Sequence, residues 1–128
     1  MIVDSSVWCA IVFNEPERDD LIQTLLDSEQ PLIPTPTLLE TNMVVRARKS
    51  ATAAELETIL LQSGAQSIAF TERHLQAAIH AFSVYGKGRG SGAGLNFGDC
   101  IVYGVAKAEG LPLLYKGDDF TKTDLKSN

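Results

Sequence analysis

Leu95-Asn96-Phe97-Gly98-Asp99-Cys100 is the stretch on which the fold turns. It follows the run 86–94, in which five glycines alternate with Lys87, Arg89, Ser91 and Ala93. It opens an apolar segment whose spacing predicts a helix from about Phe97 to Glu109, stopped by Gly110. Asn96 and Asp99 stand three residues apart at the start of that helix, the spacing of a capping pair. A carboxylate there also interacts favourably with the helix dipole. The same carboxylate is a good ligand for a hard cation.

Outward from this stretch, short apolar runs alternate with helical periodicity. Ile2-Val3 reads as a buried strand ending in Asp4, and Ser5 and Ser6 are helix-start residues. Helices are expected from about Ser6 to Phe13 and, after Pro16, from Glu17 to about Asp27. Pro31 to Pro34 reads as a second strand, followed by a helix from about Pro36 to Lys49. A fourth helix spans Thr52 to Leu61, with Leu56, Ile59 and Leu60 on one face. Ser67 to Phe70 is the third strand. Thr71 caps a fifth helix to about Tyr85, with Leu75, Ala78, Ile79 and Phe82 expected inward. Leu113 to Tyr115 is the fourth strand, and the polar remainder has Phe120 as its large apolar anchor. Strands alternating with helices predict a parallel sheet covered on both faces. Nothing divides the chain, so residues 1–128 read as a single domain.

The composition is 45% hydrophobic, enough for a real core, and the formal charge is −5. Such a chain does not attract nucleic acid as a whole, so an RNA role must rest on a local basic patch or on bound cations. Two cysteines, Cys9 and Cys100, are too few for a disulfide scaffold and read as buried free thiols. The apolar run Val7 to Phe13 is too short for a signal peptide or a membrane span, so a cytoplasmic protein is expected.

Four acidic positions stand out, and each alone has a structural explanation. Asp4 can cap the helix after strand one. Glu40 lies three residues after Thr37, a capping-box spacing that Pro36 complicates by favouring Thr35 as the cap. Asp99 pairs with Asn96. Asp118 and Asp119 sit in a turn, where Asp bonds its own backbone. Together they change meaning. Asp4 follows strand one, the Asp118-Asp119 pair follows strand four, and Glu40 begins the helix after strand two. In a parallel sheet those places share one edge, the edge where open α/β sheets bind ligands. Asp99 joins them if its helix begins at that edge. Gathered carboxylates repel, and an oxygen-only set without Cys or His favours Mg2+ or Mn2+ over zinc. Such a cation, with phosphate oxygens completing its shell, suits phosphodiester cleavage. No Ser/His/Asp grouping competes.

The segments Met1-Ile2-Val3-Asp4-Ser5-Ser6, Glu40 early in a helix, Leu95 to Cys100, and Leu113-Leu114-Tyr115-Lys116-Gly117-Asp118-Asp119-Phe120 together resemble a PIN domain. More closely, the chain is similar to the VapC toxins of bacterial toxin–antitoxin pairs, over essentially its whole length. The resemblance implies a three-layer α/β/α sandwich with a central parallel sheet of four to five short strands. It implies a Mg2+- or Mn2+-dependent endoribonuclease, usually a homodimer, inhibited by a cognate VapB-type antitoxin. By motif match, Asp4, Glu40 and Asp99 correspond to the acidic triad and metal ligands, with a fourth acid from Asp118 or Asp119. Ser6 and Asn96 are expected to support those ligands from behind. A non-catalytic RNA-binding domain of the same fold is the alternative. The glycine loop is richer in glycine than the family pattern, and it does not match a nucleotide-binding loop. Its Lys87 and Arg89 are candidate RNA contacts. His74 and His80 are spaced to face different ways and read as no ligand pair. Trp8 reads as core or interface. Leu39 to Val45 and Leu56 to Leu61 offer either a core or a dimer surface. Arg46, Arg48 and Lys49 read as a solvated helix end.

Overall fold

The computed structural model describes residues 1–48 and 52–125; Lys49 and the last three residues, 126–128, lie outside them. Strands β1 (Ile2–Val3), β2 (Leu32–Pro34), β3 (Gln66–Ile68) and β4 (Leu113–Leu114) form one sheet in the order β3-β2-β1-β4. All three pairings are parallel, with Ile2 opposite both Leu32 and Leu113. Each crossover is a pair of helices. Helices α1 (Ser5–Val12) and α2 (Arg18–Asp27) join β1 to β2. Helices α3 (Thr35–Arg48) and α4 (Thr52–Ser63) join β2 to β3. Helices α5 (Glu72–Tyr85) and α6 (Phe97–Glu109) join β3 to β4. The strand count sits at the low end of the expected four to five, and most element ends move by a residue or two.

Side chains alternate across the strands, and this alternation feeds two cores. Val3 and Leu114 point into the core built from α1 to α4, around Trp8, Ile11, Val45 and Leu56. Ile2 and Leu113 point to the other face, where α5 and α6 contribute Ala81, Val102 and Val105. The result is the α/β/α sandwich that the patterning predicts. Trp8 is fully buried, as core rather than surface. Cys100 is buried, but Cys9 is half-buried, because α1 presents it at the edge of its packed face. Both are free thiols.

The expected inward face of α5 is wrong. Leu75, Ile79 and Phe82 are 38%, 51% and 47% exposed, whereas His74, Ala78 and Ala81 are buried. The reason lies on α6. Gly104 lets α5 approach so closely that an added Cβ would stand 2.8 Å from the His74 carbonyl oxygen and 2.9 Å from Ala78 Cβ. A seam of small residues thus sets the helix spacing, and the larger apolar side chains of α5 are left outside it. Gly104→Ala is expected to cost about 1–3 kcal/mol through this overpacking, read as a lower urea midpoint.

His74 belongs to this seam. Its Nδ1 accepts the Thr71 N–H at 2.9 Å, and its Nε2 lies 3.0 Å from Glu109 Oε2. The first bond makes His74 half of a capping box at the start of α5. The second ties that start to the end of α6. His74 is thus occupied in tying the two helices together.

Candidate active site

The sheet order places β1 between β2 and β4, so successive crossovers run first one way and then back. The reversal falls between β1 and β4. Ligands in open α/β sheets sit outside the strand ends at such a reversal. Asp4 follows β1 there, and the turn 116–119 follows β4 beside it. The Asp4 N–H donates to the Leu114 carbonyl at 2.9 Å, locking the two strand ends together.

Asp4 is the N-cap of α1 and is 6% exposed. The backbone N–H and the hydroxyl of Ser6 both donate to its Oδ2, at 3.2 and 2.6 Å. The Lys116 backbone N–H in turn donates to Ser6 Oγ at 3.0 Å. Ser6 therefore bridges the end of β4 to the Asp4 carboxylate and fixes its rotamer. The Lys116 side chain is drawn away to Glu15 at 2.9 Å and Glu17 at 3.3 Å.

Asp99 is 7% exposed and forms a complete capping box with Asn96. The Asp99 N–H donates to Asn96 Oδ1 at 2.9 Å, and the Asn96 N–H donates to Asp99 Oδ2 at 3.0 Å. The expected capping is thus met in full. Glu40 behaves differently. Helix α3 starts at Thr35, so Thr37 and Glu40 both lie inside it, and no capping box forms between them. Instead Glu40 leans across to the first turn of α6. A Cβ added at Gly98 would collide with its carboxylate, whose carbon would lie 3.1 Å away. Gly98 is a residue that the sequence reading passed over. A glycine inside a helix costs about 1 kcal/mol relative to alanine, and that cost is the signal of a close approach.

The acids feel one another's charge. Burial pushes the Asp99 carboxyl up to about 6 from an ordinary 3.8, and the charges of Asp119, Asp4 and Glu40 add to the rise. Asp4 is raised by burial first, with Glu40 adding and the Ser6 bonds opposing. Asp119 is the member of the exposed turn pair whose charge acts on Asp99. Among the described residues, no three Asp, Glu, His or Cys side chains converge tightly enough to enclose a metal ion. The chemistry nevertheless fits a hard cation. The donors are all oxygen, they repel one another, and magnesium takes only one or two carboxylates while keeping its waters.

The basic candidates lie apart from this group. Arg89 turns back onto α5, with its guanidinium carbon 5.8 Å from the Phe82 ring centre and its Nε donating to the Ser83 carbonyl. Lys87 is exposed beside the apolar groove between α5 and α6. Arg48 stacks on Phe13 at 4.4 Å. No helix among the described residues is long and apolar enough to cross a membrane.

Comparison with known proteins agrees with the fold. The model of the PIN domain family matches residues 1–126. The ribonuclease VapC30 of Mycobacterium tuberculosis is 37% identical over 126 residues, covering 98% of this chain and 95% of its own. The ribonuclease VapC of Mycolicibacterium smegmatis is 36% identical, covering 98% and 97%. Among solved structures, M. tuberculosis VapC20, described as a Sarcin-Ricin loop cleaving toxin, superposes with a TM-score of 0.78 at 15% identity, covering 99% of this chain and 97% of that one. VapBC2 of Rickettsia felis, bound to a DNA fragment from its promoter, gives 0.76 at 14%, covering 96% and 92%. The chain belongs to the PIN domain family, as a member of its VapC group.

Proposed function

We propose that this chain is the endoribonuclease toxin of a VapBC-type pair and that its cleavage depends on Mg2+ or Mn2+. The observation that supports the reading is that Asp4 and the turn of Asp119 follow the two strands at the β1–β4 reversal, while burial first, and then the charges of Asp119, Asp4 and Glu40, raise Asp99. Asp4 and Asp99 would hold the cation, with Glu40 and Asp119 completing the acidic wall and Asp118 beside them in the same turn. When bound, the cation lowers the pKa of a water and offsets charge on the scissile phosphate. The protein's own part is orientation. Ser6 holds Asp4 Oδ2 and Asn96 holds Asp99 Oδ2, so neither carboxylate is free to swing. Burial raises the pKa of both acids, so their charged forms carry a cost that a bound cation would offset.

RNA reaches an acidic protein of this kind through the cation and through local contacts, among which Lys87 and Arg89 remain candidates. A cognate VapB-type antitoxin is the proposed inhibitor, and the bacterial cytoplasm the proposed site of action. A homodimer is also proposed. Two apolar grooves of about 450 and 460 Å3 meet at Phe97 and Ile101, and Phe97, Leu39 and Met43 are 82%, 62% and 63% exposed beside them. Sedimentation velocity should show a dimer that Met43→Glu dissociates; equal sizes for both would remove the proposed contact.

The deciding experiment is sequencing of RNA 5′ ends after brief induced expression of wild type and of Asp99→Asn. New, discrete ends with the wild type alone are expected, with growth arrest. Purified protein should lose cleavage in EDTA and regain it with Mn2+. Cleavage that resists EDTA would exclude the proposed chemistry.

A further inference from the structure

Asp99, Tyr103 and Lys107 recur every four residues on α6, so they stand one above another along a single helix face. The segment 116–125 is laid along that face in the same direction. At its start, the Lys116 N–H is bonded to Ser6, and Asp119 stands where its charge reaches Asp99. In its middle, Phe120 is 1% exposed and packs on Tyr115 with ring centres 4.8 Å apart. At its end, Asp124 accepts from Tyr103 Oη at 2.6 Å through Oδ1 and from Lys107 Nζ at 2.6 Å through Oδ2. Both carboxylate oxygens of Asp124 are thus used by one face of α6, and neither contact involves the acid cluster. Lys107 and then Tyr103 hold the Asp124 carboxyl below its usual range, in the charged form that such a clamp needs.

The turn that carries Asp118 and Asp119 is open to solvent and is tied down through its own short-range bonds and the residues after it. Both acids are exposed. Local bonds run from the Thr121 N–H and hydroxyl to the Asp118 carbonyl, at 3.1 and 2.8 Å. The segment's other side lies near the glycine loop, where Lys122 Cδ would be 3.4 Å from a Cβ at Gly92. Phe120 fixes the middle of the segment in the core, and Asp124 fixes its far end on α6.

We propose that Asp124 is a positioning residue for the acid cluster: clamped between Tyr103 and Lys107, it holds the 116–125 segment against α6 and keeps Asp119 beside Asp99. The inference rests on the metal-dependent reading of that cluster. Loss of the clamp lets the turn swing out, so the cluster binds its cation more weakly although every ligand is intact.

The test is titration of the full chain with Mn2+, for wild type, Asp124→Ala and Tyr103→Phe, with amide exchange across 116–125. Asp124→Ala is expected to weaken Mn2+ binding by roughly tenfold, the lower end of what outer-sphere supports contribute. Tyr103→Phe removes one oxygen and should weaken it by a smaller factor. Exchange in the segment should accelerate in both, and kcat for RNA cleavage should fall with KM nearly unchanged. Faster exchange with an Mn2+ Kd within about twofold of wild type would leave the clamp as a purely structural tie and overturn the inference alone. If Asp124→Ala does not fold, Tyr103→Phe carries the same comparison. A wild type that binds no Mn2+ would overturn the metal-dependent reading and this inference together.

Discussion

Asp99→Asn is expected to remove RNA cleavage, by about a thousandfold or more, and at the same time to stabilise the metal-free protein. The loss follows from taking away one of the two proposed cation ligands, where a bound metal would contribute several kcal/mol to the transition state. The gain follows from the carboxyl whose ionisation is opposed by burial and by three neighbouring acids. Above pH 6 the folded metal-free chain carries that charge at a cost of about 3 kcal/mol, from the shift between 3.8 and about 6. Asparagine has no charge to desolvate, and its carbonyl oxygen can still accept from the Asn96 N–H. Its own amide needs solvation, so the net gain should be about 1–2 kcal/mol. Urea melts beside RNA cleavage assays measure both quantities. A variant that is inactive and also less stable would mean that Asp99 is chiefly a helix cap.

The second large effect concerns pH and cation together. The Asp99 pKa is raised on folding, so the folded state holds its proton more tightly than the unfolded chain. Between about pH 4 and pH 6 the folded state therefore binds more protons, and its stability falls as pH rises through that window. Asp4, raised in the same direction, adds to the fall. Divalent cations invert the trend. Binding needs the carboxylate, so affinity should rise by up to about tenfold per pH unit up to pH 6 and then level off. At a hundred times Kd, Mn2+ should add about 2.7 kcal/mol to unfolding. Melting temperatures at pH 4.5, 6 and 7.5, with and without Mn2+, should diverge in wild type and run parallel in Asp99→Asn. Parallel curves in both proteins would remove the cation from the site.

The parts of this site that could be read in the sequence are those made of local pattern. Asp4 at a strand end and the Asn96-Asp99 pair at a helix start announce themselves through capping, and capping fixes where the backbone points. The alternation of strands with helices carries the sheet, hence the edge that the acids share. What stayed hidden depends on how helices meet. Glu40 looked like a cap because its spacing from Thr37 is a capping spacing. Its role comes from α3 crossing α6 at Gly98. The α5 face was misjudged because leucine, isoleucine and phenylalanine outweigh alanine in any periodicity. In the fold, Gly104 makes the alanine side the closer one. Asp119 rather than Asp118 acts on Asp99 because of a turn geometry that two adjacent, identical residues do not reveal.

The β1–β4 pairing has a consequence for the order of events during synthesis. Asp4 is made well before β4 and its acidic turn. Strand β1 can meet β2 early, since both are N-terminal, but the wall opposite Asp4 does not exist until residues 113–119 have left the ribosome. Chains are made at about 5–20 residues per second, so Asp4 waits roughly 5–20 seconds for the turn opposite it. Until then a ribonuclease built this way has only part of its acidic cluster.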